Sequence, residues 1–365
     1  MIGGMNYDLK IQFGQQKQFV NEQLTPMLGV RKRGKCVGKL CGIQGKEIAK
    51  KQFTRQKPAE NKYQLKIICM VLNRAESMLR LLNSLNEADY EGDKVITNVW
   101  IDRYENGSFD SHTFNTVSQF NFRHGTYIVN LHEQHVGLYG QWLTTFDVTK
   151  STPFDIVVFF EDDVTVSPHF YKYLKIVHAK YDSRPEINGY ALQGIRQHLG
   201  DGMTGFVEPP PDVPIYKYPS LTTWGFSPNI PNWKKFIKWY NVVKNDKTFH
   251  PYIPRHKSLR WYKWHERKNR THELWTTWHM YHAWNKGEYT MFSNFPGHNG
   301  LAAHMKECGL HHKFCLTAEI TPLLEHWDYN FASKLPDHPI IIDIFGKVHE
   351  ENQQSNPTFK ENDKD

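Results

Sequence analysis

The sequence lacks any apolar run approaching the roughly 18–20 residues that a membrane-spanning helix needs. Its first residues also lack an apolar run of signal-peptide length. These two absences argue against a helical membrane protein, so we expect no membrane span and a chain that is soluble as written.

Cysteine is scarce, and its spacing excludes the usual zinc sites. The five cysteines include two close pairs, Cys36/Cys41 and Cys308/Cys315, which could form local disulfides. Neither pair has the spacing of zinc ligands. Cys69 lies in a predicted strand and is expected to be a buried thiol. The cysteines therefore leave the redox compartment open.

A continuous basic stripe is also absent. The net charge is +7, which is modest for 365 residues, and the basic residues cluster at 31–57 and 255–270. This pattern disfavours nucleic acid as a partner, and we expect none. Either cluster could be a solvated face. Alternatively, the second one could hold the phosphates of a substrate or an anionic acceptor.

Aromatic residues, by contrast, are abundant. They make up 14% of the chain, with 11 tryptophans and 18 tyrosines, which is more than a core usually requires. Such rings suit the binding of sugars or bases, and the alternative is that they pack the core.

The hydrophobic pattern predicts one α/β domain with a mainly parallel sheet flanked by helices. Residues 1–63 form an expected polar, basic extension, partly disordered, and 349–365 a polar tail. Strands are predicted at 66–72, 95–101, 127–131, 155–160 and 289–292. Helices are predicted at 78–85, about 140–146, 169–181, 233–243 and 273–284, and 197–220 is predicted to be a surface excursion.

Polar residues follow three of the predicted strands, where an open α/β sheet binds its ligands. They are Asn73–Glu76, Asp102–Arg103 and Glu161–Asp163. Three adjacent carboxylates after a buried strand repel one another, and a cation would relieve that repulsion. Mg²⁺ and Mn²⁺ are the hard cations that prefer such oxygen ligands. The alternative is a solvated acidic turn ahead of a helix.

The residues around the acidic step resemble a known group of enzymes. Segment 159–170 reads FFEDDVTVSPHF and is similar to the metal-binding segment of animal alpha-mannoside N-acetylglucosaminyltransferases. More broadly, it resembles the GT-A superfamily of glycosyltransferases and its family-2-like members, patchily over 64–315. The resemblance implies a GT-A-like (Rossmann-like) catalytic domain at 64–348. Its nucleotide-sugar-binding half would be 64–168 and its acceptor half 169–348.

The same resemblance implies roles for individual residues. Asp163 matches the position that binds the metal. The residues that match donor-binding positions are Asn73, Arg74, Asp102, Gly137, Trp142, Glu161 and Asp162. For the turn at Asn73 and for Asp102, the alternative is a helix cap or a polar group at a strand end.

A catalytic base is implied at the start of a predicted helix. His272-Glu273-Leu274-Trp275 resembles the segment in which inverting relatives carry the base that takes the proton from the acceptor hydroxyl. Glu273 is therefore the candidate base. The alternative is a helix-start acid that favours the helix dipole, and the rival bases are Asp246, Glu266 and Glu288.

Two further positions complete the resemblance. His311 resembles a histidine that some relatives supply to the metal, and the alternative is a surface or core histidine. Trp224 resembles the segment where acceptor and donor sugars meet, since aromatic faces pack on sugar C–H groups. Its alternative is a core turn.

These features predict a metal-dependent glycosyltransferase that uses Mn²⁺ or Mg²⁺. It would transfer a sugar with inversion from a nucleotide diphosphate sugar, by resemblance UDP-N-acetylglucosamine, to a glycan or other hydroxyl acceptor. One rival is a catalytically inactive sugar-binding protein. The other is a nucleotidyltransferase, which would carry a glycine-rich phosphate loop that Asn73–Glu76 lacks. The resemblance implies the Golgi lumen or secretory pathway. The alternative is the cytoplasm, because no N-terminal anchor is evident.

Overall fold

The structure is a computed structural model, and the part of the chain that it describes omits several predicted features. It describes residues 18–19, 63–194, 196–246, 248–271, 274–305, 307 and 321–349. Most of the predicted extension and tail lies outside these residues. So do both close cysteine pairs, Glu273 and His311, and the predictions made for them stay predictions.

Within the described residues, the strands form one large sheet and a separate two-stranded ribbon. The strands are β1 (Gln18–Phe19), β2 (Gln64–Val71), β3 (Lys94–Ile101), β4 (Thr126–Leu131), β5 (Asp155–Glu161), β6 (Val164–Val166), β7 (Ile187–Ala191), β8 (Ile215–Tyr218), β9 (Phe226–Pro228), β10 (Tyr289–Ser293), β11 (Ala302–His304), β12 (Ile341–Ile342) and β13 (Val348–His349). The sheet order is β1-β4-β3-β2-β5-β9-β7-β10-β8-β12-β13, and β6 pairs with β11 in the ribbon.

The long strands confirm the predicted mainly parallel sheet. β2 pairs in parallel with β3 and β5, β3 with β4, and β7 with β10. β9 runs antiparallel to both β5 and β7, so those two strands point the same way. The carboxyl ends of β2, β3, β4, β5, β7 and β10 therefore lie along one edge of the sheet, which we name the carboxyl edge.

Helices cover both faces of the sheet. Within the described residues they are α1 (Ala75–Asn86), α2 (Ser111–Ser118), α3 (Gly137–Thr144), α4 (Phe170–Tyr181), α5 (Ile230–Val243), α6 (Ser258–Glu266), α7 (Trp275–Lys286) and α8 (Phe331–Lys334). None of these helices combines the length and the apolarity needed to cross a bilayer.

The second half of strand β2, residues 67–71, is apolar without interruption because both of its faces are buried. Ile67 and Cys69 pack in one core with residues of α1 and α4. Ile68 and Met70 pack in a second core with residues of α3, α5 and α7. Successive side chains of a strand point to opposite faces, so a strand covered on both sides needs a continuous apolar run. Cys69 is a fully buried free thiol, as predicted, and burial raises its pKa.

The helices and strands that were predicted agree with the structure to within a few residues, but the prediction missed several others: β1, β6, β7, β8, β9, β11, β12, β13, α2, α6 and α8. The predicted surface excursion is wrong at its end, because Ile215–Tyr218 forms β8 and is buried in the sheet. Helix α2 was not predicted. Asp110 caps its first turn by accepting the Thr113 N–H at 2.7 Å, and only Thr113 and Val117 are buried. A helix with so few buried residues leaves little periodicity in the sequence.

Glu288, just before β10, gives the fold a testable dependence on pH. It is 6% exposed, and burial raises its pKa from 4.5 to about 7, although Lys235 and Lys286 lower it. The unfolded chain releases this proton at lower pH than the folded chain does. The contribution of Glu288 to stability is therefore full below about pH 4.5 and is lost as the pH rises towards 7.

We predict that Glu288→Gln is more stable than the wild type at pH 8, by about 2 kcal/mol, and that the gain is smaller at pH 5. Urea unfolding at both pH values measures the difference. Glu133→Gln is the control, because Glu133 is exposed and its substitution should show no such dependence on pH. An equal effect of Glu288→Gln at the two pH values would contradict the prediction.

Candidate active site

The carboxyl edge brings together the polar residues that follow β2, β3 and β5. β2 and β3 pair up to Val71 and Ile101, and Met70 lies opposite Glu161 of β5. The backbone N–H of Asp102 donates to the carbonyl of Val71 at 2.9 Å. The three strand ends that were singled out in the sequence are therefore neighbours.

Arg74 ties the start of α1 to the acidic step. Its Nε donates to Asp162 Oδ2 at 3.0 Å, and its Nη2 donates to Asp162 Oδ1. Its Nη1 donates to Asp163 Oδ2 at 3.1 Å. The side chains of Asp162 and Asp163 are only 5% and 13% exposed. A planar guanidinium that bridges two carboxylates matches their geometry better than a lysine ammonium would.

The three acids titrate differently because their surroundings differ. Burial raises the pKa of Glu161 to about 8, and Asp163 adds to this, whereas the Trp142 N–H bond lowers it. Burial also raises the pKa of Asp162 to about 7, against the opposing charge of Arg74. For Asp163, burial is outweighed by His304 and Arg74, and its pKa is lowered. Asp163 is therefore the acid that holds its negative charge most firmly.

His304 stands on the other side of Asp163. The β6–β11 ribbon pairs His304 with Val164, next to the acidic step, and places His304 Nε2 3.5 Å from Asp163 Oδ2. The Met305 N–H donates to the Asp163 carbonyl at 2.8 Å. Trp224 stacks on the His304 ring, with centroids 4.7 Å apart and planes 7° apart. The His304 ring thus lies between Asp163 and Trp224, the predicted acceptor residue.

Glu307 connects the chain beyond the ribbon to α1. It accepts hydrogen bonds from Ser77 and Arg80 of that helix, and Arg74 Nη1 lies 4.0 Å from its carboxylate. Arg74 is therefore surrounded by Asp162, Asp163 and Glu307. These contacts fix the position of the guanidinium at the carboxyl edge.

Trp142 links the acidic step to helices α3 and α7. Its indole N–H donates to Glu161 Oε1 at 2.8 Å, and its ring stacks on Trp275 with centroids 4.5 Å apart. The first residue of α7 therefore lies beside the carboxyl edge. Glu273, the predicted base two residues before Trp275, is outside the described residues.

Asp102 anchors the loop that leads into α3. Its Oδ1 accepts the N–H groups of Arg103 and Val136 at 2.8 and 2.9 Å. Its Oδ2 accepts the Gly137 N–H at 2.8 Å and lies 3.2 Å from His135 Nδ1. Gly137 has a φ of 67°, in the left-handed region that favours glycine. These bonds hold the loop in place, and a direct contact of Asp102 with a donor stays a prediction.

The structure brings most of the predicted site residues together. Arg74, Glu161, Asp162, Asp163 and Trp142 form one connected group, and Trp224 joins it through His304. Asn73 is exposed beside Arg74. Sequence reasoning missed His304, because it is one of 20 histidines and only the pairing of β11 with β6 places it beside Asp163.

The site fits a divalent cation only if a substrate supplies part of the coordination. Among the described residues, no three His, Cys, Asp or Glu side chains are grouped as metal ligands. Asp163 Oδ1, however, is buried without a hydrogen-bond partner. Mg²⁺ commonly binds one or two carboxylates and takes its other ligands from phosphates and water. Asp163 matches that arrangement, with His304 as a second nearby ligand.

Comparison with known proteins identifies no family from the sequence. No protein-family model and no curated protein matches it. Among solved structures, TarS 1-349 of S. aureus is 12% identical, with a TM-score of 0.35, and the match covers 64% of this chain and 61% of TarS 1-349. GalNAc-T7 with UDP, GalNAc and Mn²⁺ is 12% identical, with a TM-score of 0.41, and the match covers 64% and 43%.

A third matched structure is the mannosyltransferase PcManGT from Pyrobaculum calidifontis in complex with GDP-Man and Mn²⁺. It is 16% identical, with a TM-score of 0.27, and the match covers 35% of this chain and 34% of PcManGT. All three matched proteins are GT-A-type glycosyltransferases. At these identities and TM-scores the likeness carries no argument about activity, which depends on the chemistry of the site.

We predict that Arg74→Met lowers the free energy of unfolding by about 2–4 kcal/mol, because it leaves the buried carboxylate of Asp162 without its cation. Urea unfolding measures the change. Arg123→Met is the matched control. Its ion pair with Glu87 is 53% and 74% exposed, so its loss should cost less than about 1 kcal/mol. Equal effects of the two substitutions would show that the Arg74 pair is no more important than a surface pair.

Proposed function

We propose that this chain is a glycosyltransferase that transfers a sugar from a nucleotide diphosphate sugar to a hydroxyl group, with Mn²⁺ or Mg²⁺ as cofactor. One observation carries the proposal. Glu161, Asp162 and Asp163 lie at the carboxyl edge of a parallel sheet, and Asp163 has a buried oxygen without a partner. That edge is where open α/β sheets bind nucleotides.

The donor would lie across the ends of β2, β3 and β5. Arg74 is a cation at this edge, and its Nη1, which donates to Asp163, can turn to a phosphate oxygen while Nε and Nη2 keep Asp162. Glu161 is held by Trp142 and can accept a hydrogen bond from a ribose or sugar hydroxyl. The raised pKa of Glu161 also allows it to donate one when protonated.

Asp163 and His304 are the residues that would hold the metal. The lowered pKa of Asp163 keeps it ionised, and the ribbon fixes the His304 imidazole beside it. A bound divalent cation would neutralise the negative charge that develops on the leaving nucleoside diphosphate. Arg74 adds a second positive charge next to the same group.

The acceptor would approach from the side of Trp224. Its ring stacks on His304, and aromatic faces suit the C–H surfaces of sugars. Transfer with inversion needs a base that takes the acceptor proton as the hydroxyl attacks the anomeric carbon. Glu273 is proposed for that role, and its support is the resemblance together with the position of Trp275 beside Trp142. N-acetylglucosamine from its UDP form is the proposed donor sugar, on resemblance alone.

A non-catalytic sugar-binding protein is the second candidate. One observation favours it: Arg74 already compensates the charges of Asp162 and Asp163. In such a protein the guanidinium would replace the metal permanently. The two candidates differ in whether a bound nucleotide sugar is turned over.

We predict that the purified protein releases the nucleotide from at least one UDP- or GDP-sugar when Mn²⁺ is present and not in EDTA. Asp163→Asn should lower that rate at least about 100-fold, because it weakens the metal site at the reacting diphosphate. A coupled assay for the released nucleotide, run over a panel of donors, measures both effects.

Asp89→Asn is the matched control, since Asp89 is an exposed aspartate and its change should leave the rate unaltered. Full activity in EDTA would remove the metal from the proposal. Tight binding of a nucleotide sugar without turnover, across all donors and acceptors tried, would favour the sugar-binding protein.

A further inference from the structure

Arg196 is a partly buried cation that pairs with no carboxylate of the described residues. Its Nη2 donates to the hydroxyl of Ser220, and its Nε is inaccessible to solvent and has no hydrogen-bond partner. Within the described part of the chain, no carboxylate forms an ion pair with it. Burial lowers its pKa, and the ionisable groups that oppose this are the phenols of Tyr218 and Tyr216. Buried charges in proteins are usually paired, so this arrangement is costly unless an anion binds.

A second buried donor, His256, is bridged through its backbone to Gly200, four residues after Arg196. The Ser258 N–H donates to His256 Nδ1 at 3.0 Å, so Nδ1 is the acceptor and the proton of the neutral ring is on Nε2. That Nε2 is buried without a partner. Burial, Arg196 and Lys257 hold the pKa of His256 down to about 3. His256 also lines a cavity of about 530 Å³, together with Lys286, Lys347, Glu288 and Asp343.

Backbone hydrogen bonds join the chain around Arg196 to the basic segment 255–260. Gly200 bridges to His256, the Lys257 N–H donates to the Leu199 carbonyl at 2.8 Å, and the Asp201 N–H donates to the Arg255 carbonyl. These contacts combine the cations of two separate stretches of sequence. They also place part of the second basic cluster, noted at 255–270, in one local structure with Arg196.

Two carboxylates in this local structure already have partners. Asp343 precedes Ile344, whose carbonyl accepts the Gly200 N–H, and lies 3.0 Å from His349 Nε2. Asp201 pairs with Arg260 at 2.7 Å. Lys257 Nζ donates to the His198 carbonyl at 2.6 Å, and the Arg255 guanidinium lies 4.5 Å above the Phe345 ring. Three cations, Arg196, Arg255 and Lys257, therefore lack a paired carboxylate among the described residues.

We propose that Arg196 and His256 form a binding site for a compact oxyanion, that is, a phosphate, sulfate or carboxylate group. The Nε–H of Arg196 and the Nε2–H of His256 would donate to its oxygens, and the surrounding cations would compensate its charge. Charge-assisted hydrogen bonds of this kind are stronger than neutral ones and stronger still away from water. The site is separate from Glu161–Asp163 and does not depend on the proposed transferase activity.

Two sources could supply the anion, a free inorganic ion or an acidic group on the acceptor. The chain path makes the second source reachable. Thr222, two residues after Ser220, donates to Gln193, three residues before Arg196. Its hydroxyl accepts the N–H of Trp224 at 3.0 Å. Three extended residues span about 10 Å, so Arg196 lies within roughly that distance of the Gln193–Thr222 contact next to the proposed acceptor side.

Calorimetric titration of the full chain tests the site, with sodium phosphate, sodium sulfate and methyl glucuronide as three separate probes. We expect binding of at least one probe, weakened at least about tenfold by Arg196→Gln. Arg260→Gln is the matched control, because Arg260 is 67% exposed and already has Asp201 as partner. It should bind as the wild type does. Methyl glucoside, the neutral counterpart of the glucuronide, should not bind.

Thermal unfolding separates loss of the site from loss of the fold. At ten times its dissociation constant, the anion should raise the melting temperature of the wild type by about 2–5 °C and leave that of Arg196→Gln unchanged. Without anion, Arg196→Gln should melt no lower than the wild type, since it removes an uncompensated charge. A variant that melts well below the wild type without anion would instead show that Arg196 serves the fold.

The remaining outcomes identify the source or overturn the proposal. Tighter binding of the glucuronide than of phosphate or sulfate would assign the site to an acidic acceptor, and the reverse order would assign it to a free ion. Absence of binding by all three probes would overturn the proposal. Equal weakening by Arg196→Gln and Arg260→Gln would overturn it too. Release of nucleotide from a donor sugar is unaffected by these results, so failure here leaves the proposed function standing.

Discussion

The pairing of Arg74 with Asp162 and Asp163 is the interaction on which the carboxyl edge depends. Two side chains that are 5% and 13% exposed, next to a third acid, would repel each other without a nearby cation. Arg74 supplies that charge from the start of α1, and the parallel pairing of β2 with β5 brings it into range. The β6–β11 ribbon then places His304 on the opposite side of Asp163. The charge balance of the site thus follows directly from the order of the strands.

The parts of the fold that depend on local pattern could be predicted from the sequence. Continuous apolar runs such as that of β5 indicate strands covered on both faces, and the spacing of Met78, Leu81, Leu82 and Leu85 indicates the buried face of α1. The position of the acidic step also follows from local pattern, because it comes directly after such a run. The prediction that Arg74, Asp162, Asp163 and Trp142 share a site is consistent with their contacts in the structure.

The parts that depend on long-range pairing could not be predicted. Strand β8 is short and carries Lys217 in a buried position, so nothing in its sequence distinguishes it from the polar loop around it. His304 becomes a candidate ligand only through the ribbon, and segment 196–201 meets segment 255–260 only in the folded chain. The net charge of the sequence gives no information about which cations are buried without a partner.

A crystal structure of the protein grown with UDP and Mn²⁺, with anomalous data at the manganese edge, tests the central claim most directly. One manganese peak is expected at the carboxylate of Asp163, with the nucleotide across the ends of β2, β3 and β5. Arg74 Nη1 is also expected to leave Asp163 for a phosphate oxygen. A nucleotide bound elsewhere, or manganese absent from Asp163 while the nucleotide is present, would contradict the claim.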